Sequence, residues 1–200
     1  VSNIIPLRAL TDPTRFPTLV LVDMQKEYVT RSRALSLTGA EQAIENCRRA
    51  LDHARRGGIP VAFVRWRSTS PFFNPATPLS GWIDGFVPTR DDAVFERSRP
   101  SCYASAPFAD MMAHAGSHIV LAGFAGEAAC LATAIDAFHR GQRVTFLEDA
   151  SASHGLGEFG ASEVHGVISR IVELYGDVCS THAWIASTAT GKPARYESRV

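Results

Sequence analysis

A chain of 200 residues that is 46% hydrophobic can bury one sizeable core, so a single domain spanning residues 1–200 is the expected organisation. Twenty basic and twenty acidic residues leave no net charge, which removes the electrostatic case for a nucleic-acid partner or an anionic membrane. No apolar span approaches the length of a transmembrane helix and no charged stretch precedes a cleavable apolar one at the start, so no membrane partner and a cytoplasmic location are expected.

Residues 1–17 are aperiodic and contain proline, as in a surface arm. Thr18–Val22 reads TLVLV, a continuous β-branched and leucine run of the kind that forms a buried central strand. It ends in Asp23-Met24-Gln25. A carboxylate there either sits at the ligand-binding edge of an open α/β sheet or caps a turn. Residues 38–56 form a helix whose apolar stripe is Ala40, Ile44, Cys47, Leu51 and Ala54, and Gly57-Gly58 stops it. The second strand, 59–66, leaves through Arg65, Trp66 and Arg67, and the two arginines suit an anionic substrate or plain solvation.

The connection 68–89 is long and rich in Pro, Phe, Gly and Ser. Its Phe72, Phe73, Trp82 and Phe86 either wall a pocket or pack on a neighbouring subunit. A short third strand at 93–95 precedes Glu96 and Arg97, and a helix at 106–115 ends at Gly116. The run 118–122 ends at Gly123, and from Glu127 a helical pattern begins, with Ala128, Leu131, Ala132, Ile135 and Phe138 recurring until Gly141. A strand at 143–147 follows. A helix at 158–175 comes next, with Val164, Val167, Ile168, Ile171 and Leu174 on its buried side. The last strand falls at 178–181, and a polar tail beyond about residue 188 is expected to be poorly ordered. Six strands separated mostly by helices predict a three-layer α/β/α sandwich with a mostly parallel, six-stranded Rossmann-like sheet.

The turn after Gly123 matches neither GxGxxG nor GxxxxGK[ST], so no nucleotide is implied. The seven histidines show no HExxH or HxH spacing, and Cys47, Cys102, Cys130 and Cys179 form no CxxC pair; no cofactor, metal or disulfide framework is expected. The strand ends nominate three loci: Asp23, Arg97 and the corner from Glu127 to Cys130. Asp23 could act as acid or base beside the fixed charge of Arg97. Cys130 is a nucleophile if its pKa is lowered by the helix N-terminus and Arg97, and otherwise a core thiol.

The segments LVDMQ (21–25), LAGFAGEAACLATAIDAFHRG (121–141) and VTFLEDASASH (144–154) together resemble the isochorismatase-like, or cysteine hydrolase, superfamily. The resemblance implies a parallel sheet flanked by helices, homodimers or homotetramers, a small-molecule substrate, and a cis peptide between Phe124 and Ala125. It also implies an Asp-Lys-Cys triad. The aspartate falls on Asp23, Arg97 stands at the lysine position, and Ala129 stands at the nucleophile position with Cys130 one residue later. Candidate substrate-binding positions are Gln25, Arg67, Phe73, Trp82, Phe124 and Ala125.

The resemblance leaves three readings. In the first, the Ala129-Cys130 pair resembles the small residue followed by Cys of the isochorismatase branch, and Asp23 protonates a vinyl ether on a small carboxylate-bearing metabolite. In the second, the chain is a cysteine amidase of small amides or ureides whose nucleophile at 129 is mutated or replaced by Cys130. In the third, it is an inactive binding or structural homologue whose pocket is filled by the 68–89 loop.

Overall fold

A computed structural model describes residues 17–115 and 118–189. The expected N-terminal arm and polar tail fall, apart from their innermost residues, outside this range. β1 (Thr18–Val22) is buried along its whole length, as a strand with no polar alternation must be when both of its faces are covered. Around it lies a parallel sheet of six strands in the order β3-β2-β1-β4-β5-β6. In chain order the elements are β1, α1 (Glu41–Gly57), β2 (Val61–Trp66), β3 (Ala93–Arg97), α2 (Ala106–Ala115), β4 (His118–Gly123), α3 (Leu131–His139), β5 (Arg143–Ser151), α4 (Ala161–Val172), β6 (Asp177–Cys179) and α5 (Thr181–Ala189).

Successive strand residues face opposite sides, and the core divides accordingly. Leu19, Leu21, Phe63, Val120 and Ala122 pack with Cys47 and Leu51 of α1 and Trp184 of α5. Val20, Val22, Val64, Ile119 and Leu121 pack with Phe108 and Met112 of α2, Ala134 and Ala137 of α3, and Val164 and Ile168 of α4. This is the three-layer α/β/α arrangement expected from the sequence. The chain moves outward from β1 to β3 and then returns to the other side of β1 at β4. The carboxyl ends of β1 and β4 therefore flank the point where the strand order reverses, which is where open α/β sheets bind ligands.

Several elements differ from their predicted form. β5 runs on through Ser151, because a register shift between Leu121 and Gly123 brings Gly123 opposite Ser151. β6 ends at Cys179, and Thr181 opens a helix instead of closing a strand; Asp149 Oδ1 accepts hydrogen bonds from both Thr181 N and Oγ1 at 2.7 Å. On α3 the buried face is Thr133, Ala134 and Ala137, not the stripe Leu131, Ala132, Ile135 and Phe138. Small side chains let that helix lie close to the sheet, while Leu131 packs half-buried at the margin of the core and Phe138 is left exposed. On α4, Val164, Ile168 and Val172 face the core, whereas Val167, and Leu174 in the turn after the helix, are 59% and 74% exposed. At 100° per residue, a stripe through 164, 168 and 172 turns 167 and 174 off the contact.

Candidate active site

Asp23 leaves β1 with φ at 46°, a left-handed conformation that few non-glycine residues adopt. Its N–H donates to Val64 O at 2.8 Å and its carbonyl accepts from Gln25 N at 2.6 Å, so the turn carries the carboxyl inward. Arg97 stands at the end of β3, two strands away, roughly 10 Å at the usual strand spacing. A long side chain is needed to cross that gap. Arg97 Nη2 donates to Asp23 Oδ2 at 2.6 Å with both side chains fully buried. Nη1 donates to Arg99 O at 2.7 Å, and the guanidinium lies 4.7 Å from the centre of the Trp66 ring. Asp23 Oδ1 and Arg97 Nε have no partner among the described residues.

The two charges respond unequally to burial. At Asp23 the loss of solvent outweighs Arg97 and pushes the carboxyl up from 3.8 to about 6. At Arg97 burial is the largest single effect and lowers the pKa, but Asp23, Cys102 and Tyr28 together outweigh it and the net direction is upward. The guanidinium keeps its proton, so the carboxyl is the member of the pair that titrates.

The second half of the site is the corner after β4. A Cβ on Gly123, whose φ is +110°, would lie 2.1 Å from Val22 O, so only glycine lets β4 end against β1. The Phe124–Ala125 peptide is cis. The next turn, Gly126–Cys130, is wide: Ala125 O accepts from Cys130 N at 3.2 Å and from Ala128 N at 3.3 Å. Ala129 and Cys130 are both buried. Cys130 Sγ lies 3.5 Å from Gly123 O and 3.8 Å from Ser151 Oγ. Burial raises its pKa well above the ordinary thiol value, against the opposing hydrogen bond from Ser151. The sequence reading made Cys130 a nucleophile on condition that its pKa fall, and the environment moves it the other way.

Aromatic residues close over the pair. Tyr28 packs against Phe73, Phe124 and His154 with ring centres at 5.3, 5.8 and 6.1 Å. Phe73 also contacts Trp66 at 6.1 Å. Burial, and after it the charge of Asp23, raises the Tyr28 hydroxyl pKa. The cover is pinned at several points. Gln25 Oε1 accepts from Trp66 N at 2.9 Å, and Gln25 Nε2 donates to Trp66 O at 3.1 Å and Ser80 O at 2.8 Å. Arg33 binds Glu27 at 2.6 Å and Pro71 O at 2.8 Å. His154 Nδ1 meets Glu127 Oε1 at 2.7 Å while its Nε2 meets Leu35 O at 3.1 Å. Both partners are acceptors, so the imidazolium satisfies the two contacts together, and Glu127 raises the His154 pKa.

Of the residues nominated from sequence, Asp23 and Arg97 meet directly, and Phe73 and Phe124 join the aromatic cover. Ala125 belongs to the cis corner, and Gln25 ties the cover to β2. Arg67 instead faces the surface and pairs with Glu96 at 2.6 Å. Trp82 lies against Phe63 at 5.4 Å, beneath Arg65. Tyr28, Trp66 and His154 were not nominated, and Glu127 was nominated only as the start of the corner, without its partner. Trp66 had only its place at the end of β2 to mark it and Tyr28 its place a few residues past β1, and no local spacing joins residues 127 and 154. Among the described residues no group of His, Cys, Asp and Glu could hold a metal ion, and no helix is long and apolar enough to cross a membrane.

A model of the isochorismatase domain matches residues 17–183. The chain is 25% identical over 175 residues to a secreted isochorismatase effector of Verticillium dahliae, covering 86% of this chain and 91% of that protein. It is also 25% identical over 207 residues to a ureidoacrylate amidohydrolase of Variovorax paradoxus, covering 86% and 81%. Among solved structures, an isochorismatase from Pseudomonas putida superposes with a TM-score of 0.79 at 27% identity, covering 85% of this chain and 90% of that one.

Proposed function

We propose, from the premise that this chain belongs to the isochorismatase family, that it hydrolyses a vinyl ether on a small carboxylate-bearing metabolite with Asp23 as the acid. One observation carries the reading. The Asp23 carboxyl is sealed from solvent, titrates near 6, is held through one oxygen by Arg97 and has its other oxygen free. No thiolate stands beside it, because position 129 carries a methyl group and Cys130 is a buried, protonated thiol.

In the proposed reaction the proton leaves Asp23 Oδ1 for the terminal vinyl carbon, and the ether carbon becomes an oxocarbenium ion. Arg97 stabilises the carboxylate that remains. Water adds to the cationic carbon and gives up a proton, and the hemiketal collapses with cleavage of its bond to the alcohol oxygen. The net change is ether plus water to a 2-oxo acid plus an alcohol, with Asp23 regaining its proton. Arg97 Nε is the donor left for a substrate carboxylate. The surface ion pair of Arg67 with Glu96 makes it a weaker choice for that role.

The test is release of pyruvate from isochorismate, followed through a coupled lactate dehydrogenase assay. Wild type turns over and Asp23→Asn loses at least a hundredfold in kcat, within the range that general acid catalysis supplies. Absence of turnover by the wild type, or full activity in the Asn variant, rejects the reading. A second reading is favoured by the closed cover: Phe73 is buried and the Asp23–Arg97 side chains are inaccessible, as in a homologue that only binds or assembles. No turnover together with no thermal protection by small dicarboxylates selects it. The amidase reading needs a thiolate, and Ala129→Cys tests it through hydrolysis of a panel of small amides and ureides.

A further inference from the structure

Beyond Ser151 the chain leaves β5 and runs along the corner that follows β4, holding it at successive residues. Ser151 Oγ donates to Gly123 O at 2.7 Å, and Ala152 O accepts from Gly126 N at 2.9 Å. His154 reaches Glu127 through its N–H at 3.3 Å and its Nδ1 at 2.7 Å. Ser153, only 2% exposed, bonds elsewhere. Its Oγ lies 3.0 Å from Nδ1 of His165 on α4, and His165 Nε2 lies 2.8 Å from Glu148 O. A carbonyl can only accept, so Nε2 carries the hydrogen; Nδ1 of the neutral ring is then an acceptor, and the Ser153 hydroxyl donates to it. One imidazole, its centre 6.2 Å from that of the Phe146 ring, thus ties the outgoing chain at two points, one inside β5 and one past its end.

Both side chains meet the corner at one place. A Cβ on Gly126 would stand 2.6 Å from Ser153 Oγ, 3.1 Å from His165 Nδ1 and 3.3 Å from Ser151 Oγ. The backbone at Gly126 therefore rests directly on the pair, and glycine is needed there for room. From this support the corner leads to the acid. Phe124 N donates to Val22 O at 2.9 Å, one residue before Asp23, and the Phe124 ring belongs to the aromatic cover. At the far end of the corner, Cys130 stands close enough to Asp23 for the carboxylate charge to raise its pKa. The corner is one wall of the enclosure that keeps water from Asp23, and a wall that shifts lets water in and favours the charged form.

We propose, resting on the reading of Asp23 as the acid, that Ser153 and His165 are positioning residues: they brace the corner at Gly126 and so keep the Asp23 carboxyl sealed. The sealing can be measured without turnover, which separates a failure of this role from a failure of the hydrolase reading. Urea unfolding with and without Asp23→Asn, over a pH series, gives the Asp23 midpoint in the wild type, expected near 6, and in each variant. Ser153→Ala, and His165→Gln, which keeps a donor for Glu148 O, are each expected to lower the midpoint by about half a unit or more as water returns. The double variant should shift it no further than the larger single, because both changes break the same contact. Arg97, Tyr28, Cys102 and Cys130 are the titratable groups that interact with Asp23, and neither substitution removes one of them. Ile168→Val, a core change three residues along α4, controls for lost stability: it lowers Tm and leaves the midpoint in place. Unmoved midpoints in both single variants overturn the proposal. So does a double variant whose shift is the sum of the two, or a shift of the same size in Ile168→Val. A wild-type midpoint near 3.8 overturns it as well, since no sealed carboxyl would then exist to protect.

Discussion

Replacing Asp23 by Asn separates a catalytic acid from a structural ion pair through the sign of its effect on stability. Raising the carboxyl from 3.8 to about 6 on folding corresponds to about 3 kcal/mol. The folded-state pKa is the higher one, so the associated stability is fully present below pH 3.8 and is lost as pH rises to about 6. Above that the ionised carboxylate is kept in a site that disfavours it. Asn cannot ionise and keeps an oxygen for Arg97 Nη2. The two proteins should therefore have similar unfolding free energies near pH 4, and at pH 7 the variant should be the more stable by about 3 kcal/mol. A pair that existed to hold β1 and β3 together would behave in the opposite way, since removing one partner of a buried ion pair costs about 3–5 kcal/mol. Urea unfolding of both proteins at a series of pH values gives the difference directly, and every other titrating group cancels in the subtraction. An Asn variant that is less stable at neutral pH, or a difference that does not change with pH, would refute the assignment of Asp23 as the titrating member. The same titration sets the pH profile of turnover, which should fall with a midpoint near 6 as the proton is lost.

Other expectations follow from the same contacts. All four cysteines are buried, so iodoacetamide should label none of them in the native protein at pH 7 and all of them in denaturant. Rapid native labelling of Cys130, read by peptide mass spectrometry, would mean that the turn at Gly126–Cys130 opens in solution and exposes a reactive thiol. Gly123→Ala puts a Cβ onto Val22 O at a φ of +110°, and the clash together with backbone strain should cost about 3 kcal/mol or more. That is a loss of roughly six degrees or more in Tm for a chain of this size, and an unchanged melting curve would show that β1 and β4 can separate at no cost. The His154 contacts with Glu127 and Leu35 O hold the segment over the site. The raised pKa of His154 keeps them below 6.5 and loses them as pH rises through its higher folded value. Tryptic cleavage after Arg31 and Arg33 should accelerate across that step in the wild type and show no step in His154→Gln.

What could be read from the sequence was whatever one segment specifies alone. TLVLV has no polar alternation, so Thr18–Val22 had to be covered on both faces, and the carboxylate that follows it was narrowed to the sheet edge or a turn cap. The GFAGEAAC run, through its resemblance to a known family, carried the corner and its cis peptide. Pairings across distance were not legible. His154 is 27 residues from Glu127 and 119 from Leu35, and nothing in either neighbourhood announces the other. The helices failed in a more instructive way. An apolar stripe says which face of a helix avoids water, but not what excludes the water. On α3 the sheet took the small residues, and on α4 it took Val164, Ile168 and Val172. Phe138 on α3 and Val167 on α4 were left largely outside. The sequence reading assigned Val167 and Leu174 to the interior because it took the whole apolar stripe for one contact, but at 100° per residue the sheet reaches only the sector through 164, 168 and 172, and the positions at its margins stay in water.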